Sequence, residues 1–155
     1  MNYVQDMFGL EGKTVAITGG GGVIAGAMSE ALVNAGASVA LWDIKKEFSD
    51  AAVERLCSST GKTDRLLSIE CDAMDRASIG EAVAKTEEGL GDLDILINAA
   101  GGNRGKSSFL EADMEQFEFV LKLNLVAGLM VPTQAVAKHW IDAERAGTII
   151  NLASM

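Results

Sequence analysis

Lys13-Thr-Val-Ala-Ile-Thr18 runs straight into Gly19-Gly-Gly-Gly22-Val-Ile-Ala-Gly26, and this junction governs the reading of the whole chain. The first stretch is a near-continuous apolar run, as expected of a strand buried on both faces. Beyond the glycines, Val23, Ala27, Ala31 and Ala35 recur at helical spacing, with Ile24, Met28 and Leu32 beside them, and Gly36 is a natural stop. A strand–glycine–helix junction offers free backbone amides and the positive end of a helix dipole, which together favour an anion. Glycines let the backbone turn tightly and approach a pyrophosphate with no Cβ in the way. Gly20-x-Gly22-x-x-Ala25 fits the G-x-G-x-x-G/A pattern of dinucleotide-binding turns. Four consecutive glycines match many patterns, so the weight rests on the flanking strand and helix; a merely tight turn is the alternative.

Outward from this junction, short strand-type runs alternate with helical ones. Strands are predicted at 38–42, 66–71, 93–97 and 148–152, and helices at 48–59 and 76–89, the latter capped by Asp75 and ended by Gly89 and Gly91. Residues 99–112 read as a polar loop, and 113–145 as helical with interruptions near Asn124 and Pro132. This alternation implies a parallel sheet covered by helices on both faces, joined by right-handed crossovers. A length of 155 residues suits about one domain.

Composition excludes several classes of function. With 22 acidic and 13 basic residues the net charge is −9, so neither nucleic acid nor an anionic membrane surface is expected as a partner. The longest uncharged runs, 14–29 and 123–137, are shorter than the ~20 residues of a bilayer span. No basic segment leads into an apolar one at the N-terminus, so no signal peptide is read. Cys57 and Cys71 are far apart and His139 is the only histidine, too few soft ligands for a zinc site, and no metal is expected. Two unpaired thiols fit core packing in a reduced, cytoplasmic protein.

Asp43 ends the second strand, 24 residues after Gly19. An acid there can accept hydrogen bonds from an adenosine ribose and repel a 2′-phosphate, which favours NAD over NADP. Lys45 and Lys46 soften that preference, and a simple strand-end turn is the other reading of Asp43.

Taken together, these residues resemble the short-chain dehydrogenase/reductase family. Phe8-x-Leu10-x-Gly12-Lys13 leading into Val-Ala-Ile-Thr-Gly19 is similar to its opening strand. Asp72, followed by Ala73, matches its adenine-contacting aspartate, and Asn98-Ala99-Ala100-Gly101 matches the motif closing its fourth strand. Asn124 matches its structural and proton-relay asparagine, and Ile150-Asn-Leu-Ala-Ser154 the strand delivering its catalytic serine. The resemblance implies an α/β Rossmann-type doubly wound sheet of order 3-2-1-4-5. It also implies a nicotinamide cofactor held by Thr18, Gly19, Gly20, Gly21, Gly22, Val23, Ile24, Asp43, Asp72, Ala73, Asn98, Ala99, Ala100 and Gly101, with Ser154 and Asn124 catalytic. Other readings stand beside these roles. Ser154 is otherwise a strand-end residue, Asn124 a polar group at a helix kink, Asp72 a helix cap, and Asn98 a holder of backbone.

Two departures stand out. Val23 and Ala25 occupy the second and third glycine positions of the family's Thr-Gly-x-x-x-Gly-x-Gly. Four glycines followed by Val, with Ala-Ala-Gly-Gly-Asn103, Phe117-Glu-Phe-Val120 and Pro132-Thr-Gln134, resemble a subgroup typified by D-mannonate oxidoreductase. The family's catalytic Tyr, followed four positions later by Lys, lies downstream of the serine, whereas the only tyrosine here is Tyr3. The sequence is therefore similar to the N-terminal part of the family fold, without its C-terminal strands. The 155 residues alone are expected to be inactive, with the fifth strand left as an exposed edge.

The implied activity is NAD(H)-dependent interconversion of a secondary alcohol and a ketone, on a sugar or sugar-acid substrate. A non-catalytic dinucleotide-binding module is the competing reading, and a methyltransferase is disfavoured by the Asn98–Gly101 and Ser154 motifs. Arg104 and Lys106, just past the fourth strand, are candidates to pair with a substrate carboxylate, or are solvated loop cations. The helix 113–145 resembles the family's subunit-interface element, which implies a homodimer or homotetramer.

Overall fold

A computed structural model describes residues 3–105 and 107–153. Lys106 and Ser154 lie outside the described residues. The chain runs α1 (Tyr3–Phe8), β1 (Thr14–Thr18), α2 (Val23–Asn34), β2 (Ser38–Asp43), α3 (Lys46–Thr60), β3 (Leu66–Glu70), α4 (Arg76–Leu90), β4 (Leu93–Asn98), α5 (Met114–Leu121), a π-helical segment (Lys122–Met130), α6 (Val131–Asp142) and β5 (Thr148–Asn151). The five strands are all parallel, in the order 3-2-1-4-5 anticipated from the sequence.

Two-residue alternation sorts each strand between the two faces of the sheet. Val15, Ile17, Val39, Leu41 and Ile97 pack with Ala25, Val33, Ala52 and Leu56 of α2 and α3. Ala16, Ala40, Trp42 and Leu96 pack with Ile79, Val83, Val136 and Trp140 of α4 and α6. Burying each large aliphatic side chain contributes about 1.5–3 kcal/mol, and β1, with every residue buried, is the centre of the structure. Parallel strands end on a common edge, so the carboxyl ends of β1, β2, β3 and β4 all open on one side of the molecule.

Several expectations are refined. Asp75 does cap α4, accepting from the Ala77 N–H at 2.9 Å. Gly91 ends that helix, while Gly89 lies inside it. Asp72 is not the cap; its carboxylate accepts from the Met74 N–H at 2.8 Å. The run 114–142 is not interrupted at Asn124 or Pro132. It passes through nine residues of π winding and returns to α winding one residue before Pro132. At 29 residues it is long and apolar enough to cross a bilayer, which counting only unbroken uncharged runs did not anticipate. Here Ala127, Val136 and Trp140 turn inward from it instead. Met114 and Met130, on the same run, are about half exposed or more.

At the amino end of the sheet, Glu87 of α4 ties α6 and β4 together. Its Oε1 accepts from Arg145 at 2.9 Å and from the Leu93 N–H at 3.2 Å, and meets His139 Nε2 at 3.0 Å. Arg145 and Trp140 both donate to the Leu93 carbonyl. Partial burial by itself would raise the Glu87 carboxyl, but the hydrogen bonds from His139, Leu93 and Arg145 outweigh it and hold it below the ordinary carboxylate range. A lowered carboxylate stabilises the fold fully above its unfolded pKa of about 4.3, and this is lost as pH falls through the lower folded value. Glu87→Gln is therefore expected to melt below wild type at pH 7, with the gap closing between about pH 5 and 3. A gap in melting temperature that stays constant across that range would refute this account.

Candidate active site

The residues that end β1, β2, β3 and β4 enclose a cleft of about 880 Å³. It is lined by Thr18, Gly19, Gly21, Gly22, Trp42, Asp43, Ile44, Phe48, Cys71, Asp72, Ala73, Met74, Ala99, Ala100, Gly101, Phe119, Leu123 and Ala127. That volume lies in the usual range for small-molecule and cofactor sites.

The glycine turn is packed so closely that side chains are excluded. Gly19 has φ +65°, and a Cβ on it would lie 2.9 Å from Ala100 Cα. A Cβ on Gly20 would lie 2.6 Å from Leu41 Cβ, and one on Gly21 2.5 Å from Phe48 Cβ. The turn is tied to both neighbours: Gly20 N–H donates to the Trp42 carbonyl at 2.9 Å, and Gly21 N–H to Asp43 Oδ2 at 3.0 Å. Asp43 Oδ1 accepts from the Lys45 N–H at 3.1 Å. Thr18 Oγ1 accepts from both Ala99 and Ala100 N–H at 3.0 Å, which stitches the end of β1 to the turn after β4. Gly22 lines the cleft and precedes α2, whose first amides no side chain caps.

Of the sequence candidates, Thr18, Gly19, Gly21, Gly22, Asp43, Asp72, Ala73, Ala99, Ala100 and Gly101 meet at the cleft. Gly20, Val23, Ile24, Asn98 and Asn124 do not line it. Gly20 is pressed onto β2, and Val23 and Ile24 stand 90% and 66% exposed at the start of α2. Asn98 is buried, its Nδ2 donating to Thr133 Oγ1 at 2.9 Å and Asn151 Oδ1 at 2.8 Å. It joins β4 to α6 and β5, in line with a role in holding backbone. Asn124 Oδ1 accepts from the Gly102 N–H at 2.8 Å and its Nδ2 donates to the Gly102 carbonyl at 2.9 Å. Gly128 lets the π-wound segment press on the same turn, since a Cβ there would meet the Ala100 carbonyl.

The apolar wall was missed from sequence. Phe48 and Ile44 are large apolar residues within a charged stretch, and that contrast is the signal that could have found them. Phe119 and Leu123 lie within the long helical run, where nothing in the sequence sets them apart from other apolar residues. Cys71 is pushed up to about 12 by burial, so it stays a neutral thiol and adds to this wall.

The sequence pattern of the short chain dehydrogenase family matches residues 13–155. The chain belongs to this family. Among curated members, it is 35% identical to a sorbitol dehydrogenase from Cereibacter sphaeroides, covering 94% of this chain and 54% of that protein. It is 30% identical to a 5-keto-D-gluconate 5-reductase from Escherichia coli, covering 98% and 58%. The chain thus spans a little over half the length of these relatives. A solved structure from Haemophilus influenzae, provisionally assigned as a D-mannonate oxidoreductase and holding NAD, superposes with a TM-score of 0.74 at 29% identity, covering 88% of this chain and 53% of that one.

Proposed function

We propose that this short-chain dehydrogenase chain holds the nicotinamide dinucleotide of an oxidoreductase that interconverts a secondary alcohol and a ketone on a sugar or sugar acid. The observation that carries the reading is the side-chain-free turn Gly19–Gly22, hydrogen-bonded to the carboxylate that ends the next strand. The cradle fits the cofactor, because the turn carries no side chains, packs closely on its neighbours and leads into a helix whose first amides no side chain caps.

In this reading the side-chain-free turn lets the diphosphate approach, and the uncapped first amides of α2, next to Gly22, hold it. Asp43 takes the adenosine ribose through its remaining lone pairs and repels a 2′-phosphate, so NAD(H) is preferred over NADP(H). Asp72 and Ala73, with the apolar wall of Ile44, Phe48 and Met74, receive the adenine. Ala99, Ala100 and Gly101 border the nicotinamide end. When bound, the dinucleotide supplies the hydride acceptor or donor. Ser154 is assigned to hydrogen-bond the substrate oxygen, a contact worth roughly 3–4 kcal/mol where it is made only in the transition state. Asn124 acts through Gly102, fixing the turn that borders the reacting end.

We further propose that residues 1–155 alone do not turn over. The family's proton donor, Tyr with Lys four positions on, has no counterpart in them, and a positioned acid–base group is worth ~10²–10⁴-fold. The exposed apolar row Met114, Phe117, Leu121 and Leu125 supports a homo-oligomer, and the two unpaired thiols support a cytoplasmic protein. The four-glycine turn, and the relative provisionally assigned to D-mannonate, support a sugar-acid substrate of that type.

The expected result is NADH binding in the micromolar range, seen as quenching of Trp42 with energy transfer to the bound cofactor, without NADH consumption by residues 1–155. Failure of the folded chain to take up NADH would end the proposal. Binding without turnover in the whole protein would favour a non-catalytic dinucleotide module.

A further inference from the structure

We propose that Arg104 is the residue that reads an anionic substituent, carboxylate or phosphate, on the substrate. This inference rests on the dinucleotide reading above and narrows it. The relatives include one named for a neutral polyol and one for a keto acid, so resemblance leaves the substrate's charge open.

The observation is a stacked guanidinium. Arg104 Cζ lies 4.2 Å from the centroid of the Phe119 ring; Phe119 lines the cleft together with Ala100, Gly101 and Leu123, while Arg104 itself lines a second hollow with Asn103, Asp113 and Gln116. The ring face attracts the cation and restrains the side chain, and the guanidinium N–H groups remain available to bind a two-oxygen anion bidentately. Among the described residues, no carboxylate lies within ion-pair range of Arg104. Asp113, the acid that lines the same hollow as Arg104, is already hydrogen-bonded. Its two oxygens accept from the Glu115 N–H at 2.9 Å and from Gln116 Nε2 at 3.1 Å.

The backbone is built to hold this position. Arg104 N–H donates to Asn103 Oδ1 at 2.9 Å, and Gly105 takes φ +75°, a backbone conformation that L side chains rarely adopt. Arg104 is solvent-exposed, so its charge stays hydrated and places a positive group beside the cleft of a chain whose net charge is −9.

The test uses the full-length protein that carries this chain, comparing wild type with Arg104→Ala and Arg104→Lys. Three compounds are assayed: 5-keto-D-gluconate with NADH, and sorbitol and sorbitol 6-phosphate with NAD. NADH affinity is measured on each preparation. Arg104→Ala is expected to lower kcat/KM for an anionic substrate on the order of 10- to 100-fold, mainly through KM, and to leave sorbitol within about 3-fold. Arg104→Lys recovers part of the loss. Selective loss on the keto acid assigns a carboxylate, and selective loss on sorbitol 6-phosphate a phosphate. Equal losses on all three compounds, no loss on any, or a wild type that accepts sorbitol alone each overturn the proposal. Wild-type protein that takes up no NADH sinks the underlying reading, and this inference with it.

Discussion

Replacing Gly19 with Ala is expected to abolish nicotinamide dinucleotide binding and to destabilise the fold by about 2–5 kcal/mol. Two costs combine. At φ +65° an L-side chain sits in the left-handed region, which costs roughly 1–2 kcal/mol. The added Cβ would also lie 2.9 Å from Ala100 Cα and 3.2 Å from its nitrogen. Both are backbone atoms, so relief requires β1 and the turn after β4 to separate, an overpacking cost of typically 1–3 kcal/mol. That separation also pulls Thr18 Oγ1 away from the two amides it holds. At 2–4 °C per kcal/mol for a domain of this size, the melting temperature should fall by roughly 4–20 °C. Thermal melting and an NADH titration on the same preparation check both parts; NADH affinity within a few fold of wild type would refute the cradle.

The second large effect is expected at Asp43. Asp43→Ala should weaken NADH binding on the order of 10- to 100-fold and leave NADPH binding equal or stronger, which reverses the preference. The carboxylate repels a 2′-phosphate by about 1 kcal/mol per unit charge at 4 Å in water and about 4 kcal/mol at the dielectric of a protein surface. Removing it removes that barrier, but it also frees the Gly21 and Lys45 amides that it now holds. Asp43→Asn keeps one acceptor oxygen, so it should retain one of these two bonds and fall between wild type and Ala. Calorimetric titration of each variant with both cofactors reads the difference. Wild-type protein that binds NADPH as tightly as NADH would remove Asp43 from this role.

The parts of the fold that were legible in the sequence are those where local and long-range forces agree. Thr14–Thr18 could only be a central strand, because five successive residues suited to burial precede a glycine turn and a helix. Asp75 was legible as a cap because its side chain serves an amide two residues on. The winding of 122–130 was not legible. Asn124 and Pro132 in an apolar helix marked an anomaly, read as interruptions. The structure instead widens the helix, and this segment engages the turn after β4, Asn124 through Gly102 and Gly128 against Ala100. That demand comes from another part of the chain, and helical periodicity carries no trace of it.

The site shows the same division. Backbone-directed residues, Gly19, Gly21, Gly22 and Asp43, were found because their spacing reflects the turn itself. Asn98 was placed with them by its motif, yet its side chain is committed to Thr133 and Asn151, both distant in sequence. Phe119 was hidden because an aromatic at helical spacing is indistinguishable from core until the neighbouring loop is placed. α1 was not foreseen, since six residues with exposed Tyr3, Met7 and Phe8 carry no amphipathic signal.

The reciprocal bonds between Asn124 and Gly102 divide the stretch after β4 into two territories with different evolutionary freedom. Up to Gly102 the chain is clamped, and insertions there would disturb the cofactor cradle. From Asn103 to Ala112, Lys106 aside, the side-chain hydrogen bonds are local, Asn103 to the Arg104 N–H and Ser108 to Glu111, so changes there reach the turn before it less directly. A lineage built on this frame can therefore diversify in what it processes while its redox partner stays fixed, and laboratory libraries confined to that window should yield new specificities without loss of folding.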